Sequence, residues 1–132
     1  MAKIIDGTGA VLGRLASYAA KQALLGEEVV IVNSEKVIIT GNKKNIIHEF
    51  NEQRTRTGSS QQGPKISRLP YMIVKRAVRG MLSHRQGRGK VALQRIKCYE
   101  GIPEQYKDAK KIVGSKEKPG KFIEVNELRK HR

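Results

Sequence analysis

One cysteine, three scattered histidines, two phenylalanines and no tryptophan leave little from which to build a disulfide, a metal centre or an aromatic platform. A lone Cys98 rules out an intrachain disulfide, and no Cys/His cluster has zinc-ligand spacing, so neither metal nor cofactor is expected. Between Ile96 and Tyr99, Cys98 reads as a small buried hydrophobe. Long apolar runs are missing too. None approaches the ~18 to 20 residues of a membrane span, and no signal pattern precedes the first strand-like run, which predicts a cytosolic protein with no membrane partner. The most informative absence is local. Residues 53–99 contain no Asp or Glu, although the chain has twelve acids, and this window carries twelve Lys or Arg.

What is present begins with charge. A formal net charge of +15 on 132 residues exceeds what solubility requires, and its self-repulsion is relieved only by a polyanion. An ordinary solvated face mixes signs, whereas this window makes a field of one sign. Within it Arg outnumbers Lys by eight to four, favouring bidentate phosphate contacts over plain neutralisation. The window lacks helix-turn-helix, zinc-finger and basic-zipper signatures, and its only aromatics are Tyr71 and Tyr99. Folded RNA, read by shape and phosphate, fits better than duplex DNA or single-stranded bases. A DNA-binding module stands as one alternative.

The hydrophobic pattern predicts an α/β body. Lys3-Ile4-Ile5-Asp6 reads as a strand stopped by Gly7-Thr8-Gly9. Leu12, Leu15, Ala16, Ala19, Ala20, Ala23 and Leu24 then recur at helical spacing, and Gly26 is placed to end that helix. The continuous run Val29-Val30-Ile31-Val32 suits a strand covered on both faces of a parallel sheet. Strand, helix, strand implies a right-handed parallel unit. Further on, Ile46, Ile47 and Phe50 share one side of a helix. Pro70 opens another, whose buried stripe is expected to be Ile73, Val74, Ala77, Val78 and Met81. A short helical pattern runs through Val91, Ala92, Leu93 and Ile96, with 96–99 as a closing strand. Beyond Pro103 the chain is lysine-rich, with one late apolar cluster, Phe122, Ile123, Val125 and Leu128, able to dock a tail.

Catalytic constellations are weak. Gly7, Gly9 and Gly13 invite a dinucleotide-binding reading, but a fingerprint starting at Gly7 needs its third glycine at position 12, which is Leu12. A nucleotide-dependent enzyme is therefore the second alternative, resting on Gly7 and Gly9. No nucleophile elbow is present, His48 reads as a surface histidine, and Glu27-Glu28 reads as a solvated helix end. No enzyme and no small-molecule substrate is expected.

The candidate RNA contacts fall in two basic loops, 53–68 and 83–90. Arg54, Arg56, Lys65, Arg68, Arg85, Arg88 and Lys90 are the principal ones, with His84 inside the second loop. The stretch 55–65, rich in Gly, Ser and Gln, is expected to order only on its partner. The second loop is expected to use Gly87 and Gly89 for close backbone approach to phosphate. Lys75, Arg76 and Arg79 are supporting contacts, since a helix face is half turned to its own core.

Several segments in order and spacing carry a family resemblance: Asp6-Gly7-Thr8-Gly9-Ala10-Val11-Leu12-Gly13-Arg14-Leu15-Ala16, Val32-Asn33-Ser34-Glu35-Lys36-Val37, Thr40-Gly41-Asn42-Lys43, Val78-Arg79-Gly80-Met81-Leu82 and Lys97-Cys98-Tyr99-Glu100-Gly101. The chain resembles the universal family of large-subunit ribosomal protein thirteen over about residues 3–103. Arg79-Gly80-Met81-Leu82 and Gly101-Ile102-Pro103 look like its archaeal and eukaryotic branch. Ser83 stands where that family very often has proline.

The resemblance implies a three-layer α/β/α body with a small, mainly parallel sheet. It also implies binding to large-subunit ribosomal RNA beside neighbouring ribosomal proteins in the cytoplasmic ribosome, and a part in RNA folding during assembly. Through the matching turn Thr40-Gly41-Asn42-Lys43 it ranks Lys43 and Lys44 with Lys75, Arg76 and Arg79 as supporting contacts. The organisation expected is an RNA-binding domain at 1–103, with its basic loop extensions, and a basic C-terminal tail at 104–132.

Overall fold

The computed structural model describes residues 3–55, 69–107, 111–113 and 120–130. Its centre is a four-stranded, wholly parallel sheet in the order β4-β2-β1-β5, with β1 at Lys3–Asp6, β2 at Val29–Val32, β4 at Ile96–Cys98 and β5 at Lys111–Val113. A second, two-stranded antiparallel sheet joins β3, Ile38–Thr40, to β6, Phe122–Glu124.

The helices are α1 (Leu12–Leu24), α2 (Lys43–Thr55), α3 (Pro70–Gly80), α4 (Gly87–Gln94) and α5 (Val125–Lys130). The architecture is therefore α/β with a small, mainly parallel sheet. β2 is buried throughout, as a strand with no polar position in its apolar run must be.

Alternation along the strands sorts the core into two faces. Ile5, Val29, Ile31, Ile96 and Cys98 point to the side where α1, α3 and α4 pack. Four alanines of α1, Ala16, Ala19, Ala20 and Ala23, are buried there and bring that helix close to its neighbours, while Leu24 at its end is exposed. Ile4, Val30 and Val32 point the other way, where Tyr99 and Tyr106 cover them. Among the described residues this third layer is built by 99–107, which includes the 3-10 turn Glu104–Tyr106.

The C-terminal ends of β1 and β2 are tied by side chains. Asp6 Oδ1 accepts hydrogen bonds from the Thr8 amide at 3.0 Å, the Thr8 hydroxyl at 2.8 Å and Asn33 Nδ2 at 3.0 Å. Asn33 adopts a left-handed conformation, φ 56°, which its short polar side chain tolerates. Burial raises the pKa of the Asp6 carboxyl, but the bonds from Asn33 and Thr8 and the charge of Lys36 outweigh it and hold the group below its ordinary value.

Several boundaries differ from the sequence reading. Met81 lies just past the end of α3 and is exposed, while Leu82 turns inward and is buried, because the helical period stops at Gly80. Beyond Pro103, β5 pairs with β1 in the main sheet. Ile123, Val125 and Leu128 are buried, and the Val125 amide donates to the Val37 carbonyl at 2.7 Å. The loop expected at 83–90 becomes helix at Gly87.

Candidate nucleic-acid interface

α3, the turn at 81–86 and α4 form one continuous basic unit, because no acid interrupts residues 69–99. The apolar stripe of α3, centred on Val74 and Val78, fixes which way the helix faces. Arg76 and Arg79 are left exposed, and Lys75 is half-buried. The turn exposes Arg85, and α4 exposes Arg88 and Lys90. Gln86, which precedes α4, makes no side-chain cap, and the first turn contains no acid. The positive end of the helix dipole thus adds to the two arginines beside it.

His84 is half-buried in this turn, and its Nδ1 is buried with no hydrogen-bond partner among the described residues. Lys43 and Lys44 sit exposed at the start of α2, where Lys43 Nζ lies 3.4 Å from Glu127 Oε2, so part of its charge is answered within the chain. Arg54 is half-buried in the last turn of α2. Arg56, Lys65 and Arg68, with the 55–65 stretch they bracket, fall almost wholly outside the described residues. The structure therefore gathers Arg76, Arg79, Arg85, Arg88 and Lys90 on one unit and leaves Lys43 and Lys44 on a separate helix.

Two cations of the acid-free window belong elsewhere. Arg95 donates from Nη1 to the Ala23 carbonyl at 2.9 Å, a second bond to an oxygen in the last turn of α1 that also accepts from the Gly26 amide at 3.1 Å. Lys97 stands exposed on β4, between buried Ile96 and Cys98. It is a surface cation that the sequence reading did not single out, although the alternation apolar, charged, apolar signals an outward residue. Burial pushes the neighbouring Cys98 thiol up to about 12, against a small opposing effect of the Lys75 charge, so this sulfur is inert.

The glycines also have specific places. Gly7 is buried, and a Cβ there would stand 2.8 Å from Val37 Cγ2 and 3.0 Å from the Val32 carbonyl oxygen. Its close approach is to the protein's own β2 end, which accounts for a glycine there without a bound pyrophosphate. Gly89 is likewise buried against the chain itself, which corrects the expectation that it faces phosphate. A cleft of about 750 Å³ separates α2 from α3, with Ile46, Phe50, Met72 and Ile73 in its walls and Arg76 and Arg79 along it. Among the described residues no group of His, Cys, Asp and Glu has the make-up of a metal site, and no helix is long and apolar enough to cross a membrane.

A small parallel α/β body that carries exposed charge of one sign on α3, α4 and the turn between them has the make-up of a ribonucleoprotein component. The comparisons name the family: the pattern described as Ribosomal protein L13 matches residues 1–105, and the chain belongs to that family. It is 44% identical over 131 residues to the large ribosomal subunit protein uL13 of Methanocaldococcus jannaschii, covering 97% of this chain and 95% of the relative. It is 46% identical over 110 residues to uL13 of Methanosarcina barkeri, covering 83% and 78%. With uL13 of Methanococcoides burtonii the identity is 47% over 106 residues, covering 80% and 76%. These relatives are named as ribosomal proteins, and the family is not an enzymatic one.

Proposed function

We propose that the chain is a structural constituent of the large ribosomal subunit in the cytoplasm. It binds large-subunit ribosomal RNA by multivalent phosphate clamping and supports the folding of that RNA during assembly, next to other ribosomal proteins. The observation that carries this reading is the exposure of Arg76, Arg79, Arg85, Arg88 and Lys90 on the acid-free segment formed by α3, α4 and the turn between them. Each cation that meets a phosphate releases a counterion, and a rigid body holding several of them lowers the repulsion between the RNA segments they bridge. In the sequence, Arg54, Arg56, Lys65 and Arg68 supply further cations of the same acid-free window. The names of the relatives support the subunit assignment.

The test combines two readouts on Arg85→Ala/Arg88→Ala. Both side chains are exposed, so the melting temperature of the free protein should stay nearly unchanged or rise slightly as repulsion is relieved. Affinity for protein-free large-subunit RNA should fall at least tenfold, since two charge-assisted contacts are lost at about 1.5 to 3 kcal/mol each before compensation. Lost stability with unchanged affinity of the folded fraction would refute the placement. Preference for duplex DNA over the ribosomal RNA at matched salt would favour a DNA-binding module instead.

A further inference from the structure

Where α4 meets the turn that precedes it, one backbone position has no room for a side chain. At Gly89, in the first turn of α4, an ideal Cβ would stand 2.8 Å from the Ser83 amide nitrogen and closer still to the Ser83 carbonyl carbon and oxygen. All three atoms are backbone and cannot rotate aside. Gly87, two residues earlier, has open space at the same point, so sterics demand glycine at one of these positions and not at the other.

The contact sits inside a closed turn. Ser83 O accepts from the Gln86 amide at 2.9 Å, Gln86 O accepts from the Lys90 amide at 2.9 Å, and Leu82 O accepts from the His84 amide at 2.8 Å. Buried Leu82 anchors one side of the turn and buried Gly89 the other. Arg85 and Arg88 project from between these anchors and are exposed.

We infer that Gly89 is a positioning residue of the RNA interface: its missing Cβ seats α4 against Ser83 and so presents Arg85 and Arg88 at a preset spacing to the RNA phosphates. The inference rests on the reading of the turn as an RNA-binding element. A preset turn loses little conformational freedom on binding, so more of each arginine contact appears as affinity. It also discriminates, since phosphates at another spacing meet only one of the two cations.

The experiment is a mutant cycle read by filter binding to refolded, protein-free large-subunit RNA, with a melting curve for each protein. The variants are Gly89→Ala, Arg85→Ala/Arg88→Ala and the triple combination. Gly89→Ala should lose about tenfold in affinity with no change of charge, and its salt slope should become shallower by roughly one to two phosphate contacts. The triple variant should bind no more weakly than the double, because a misplaced arginine and a missing one are the same loss.

Full additivity in the triple variant, or wild-type affinity of Gly89→Ala, would overturn the positioning role. Wild-type affinity of the arginine double variant would instead overturn the underlying reading of the turn. If Gly89→Ala does not fold, hydrogen exchange on the free wild type decides. Slow exchange at the Gln86 and Lys90 amides supports a preset turn, and exchange at the unprotected rate overturns it.

Discussion

Removing Arg95 should separate cations that hold the fold from cations that hold RNA. Arg95 lies in the acid-free window beside Arg85 and Arg88, yet its guanidinium donates to the Ala23 carbonyl near the end of α1 at 2.9 Å and is half-buried. A hydrogen bond from a charged donor to a neutral carbonyl contributes about 1.5 to 3 kcal/mol, and its loss is the whole effect, because the Ala23 carbonyl keeps its bond from the Gly26 amide at 3.1 Å. For a domain of this size each kcal/mol moves the melting temperature by about 3 to 6 °C. Arg95→Ala should therefore melt roughly 5 to 15 °C lower.

Its binding curve, measured where the variant is folded, should keep the salt slope of the wild type, because no phosphate contact has been removed. Differential scanning calorimetry and a salt-titrated filter assay provide the two numbers. An unchanged melting temperature together with a slope shallower by about 0.7 to 0.9 would show that Arg95 faces RNA, and the division of labour argued above would be wrong.

Other consequences follow from the core and the strand ends. Ile5 is 1% exposed in a strand flanked on both sides, so Ile5→Ala should cost about 2 to 5 kcal/mol in urea unfolding. A loss under about 1 kcal/mol would mean the sheet is not the centre of stability. The Asp6 carboxyl is held below its ordinary value of 3.8. Its contribution to stability is therefore complete above that value and is lost as pH falls through the folded pKa. Asp6→Ala should be less stable by about 1 to 2 kcal/mol at neutral pH, and that gap should narrow in unfolding curves taken at progressively lower pH below 3.8. A gap independent of pH would remove the role assigned to the charge.

Much of the fold was legible because its signals are local and repeated. Val29-Val30-Ile31-Val32 contains no polar position, and a strand of that kind has only a doubly covered place to go. The alanine stripe of α1 kept its period from Leu15 to Ala23. Met81 was misread because continuing the period says nothing of where a helix stops, and the turn after Gly80 substitutes Leu82 for it in the core. β5 was not anticipated, since three residues in a lysine-rich stretch gain their place only by pairing with distant β1. The interface was legible as a one-signed window, but charge alone does not distinguish Arg95, turned to a helix end, from exposed Arg88. That distinction depends on which carbonyls lie nearby after folding. The steric demand at Gly89 was equally invisible, because a glycine among basic residues looks the same whether it faces phosphate or its own chain.

The most direct test of phosphate clamping is the salt dependence of binding between the wild-type protein and protein-free large-subunit RNA. If about eight of the twelve Lys and Arg residues in 53–99 meet phosphates, log K falls with log salt at a slope of roughly −6 to −7. A slope near −2 would show that most of this charge is idle and would contradict the account.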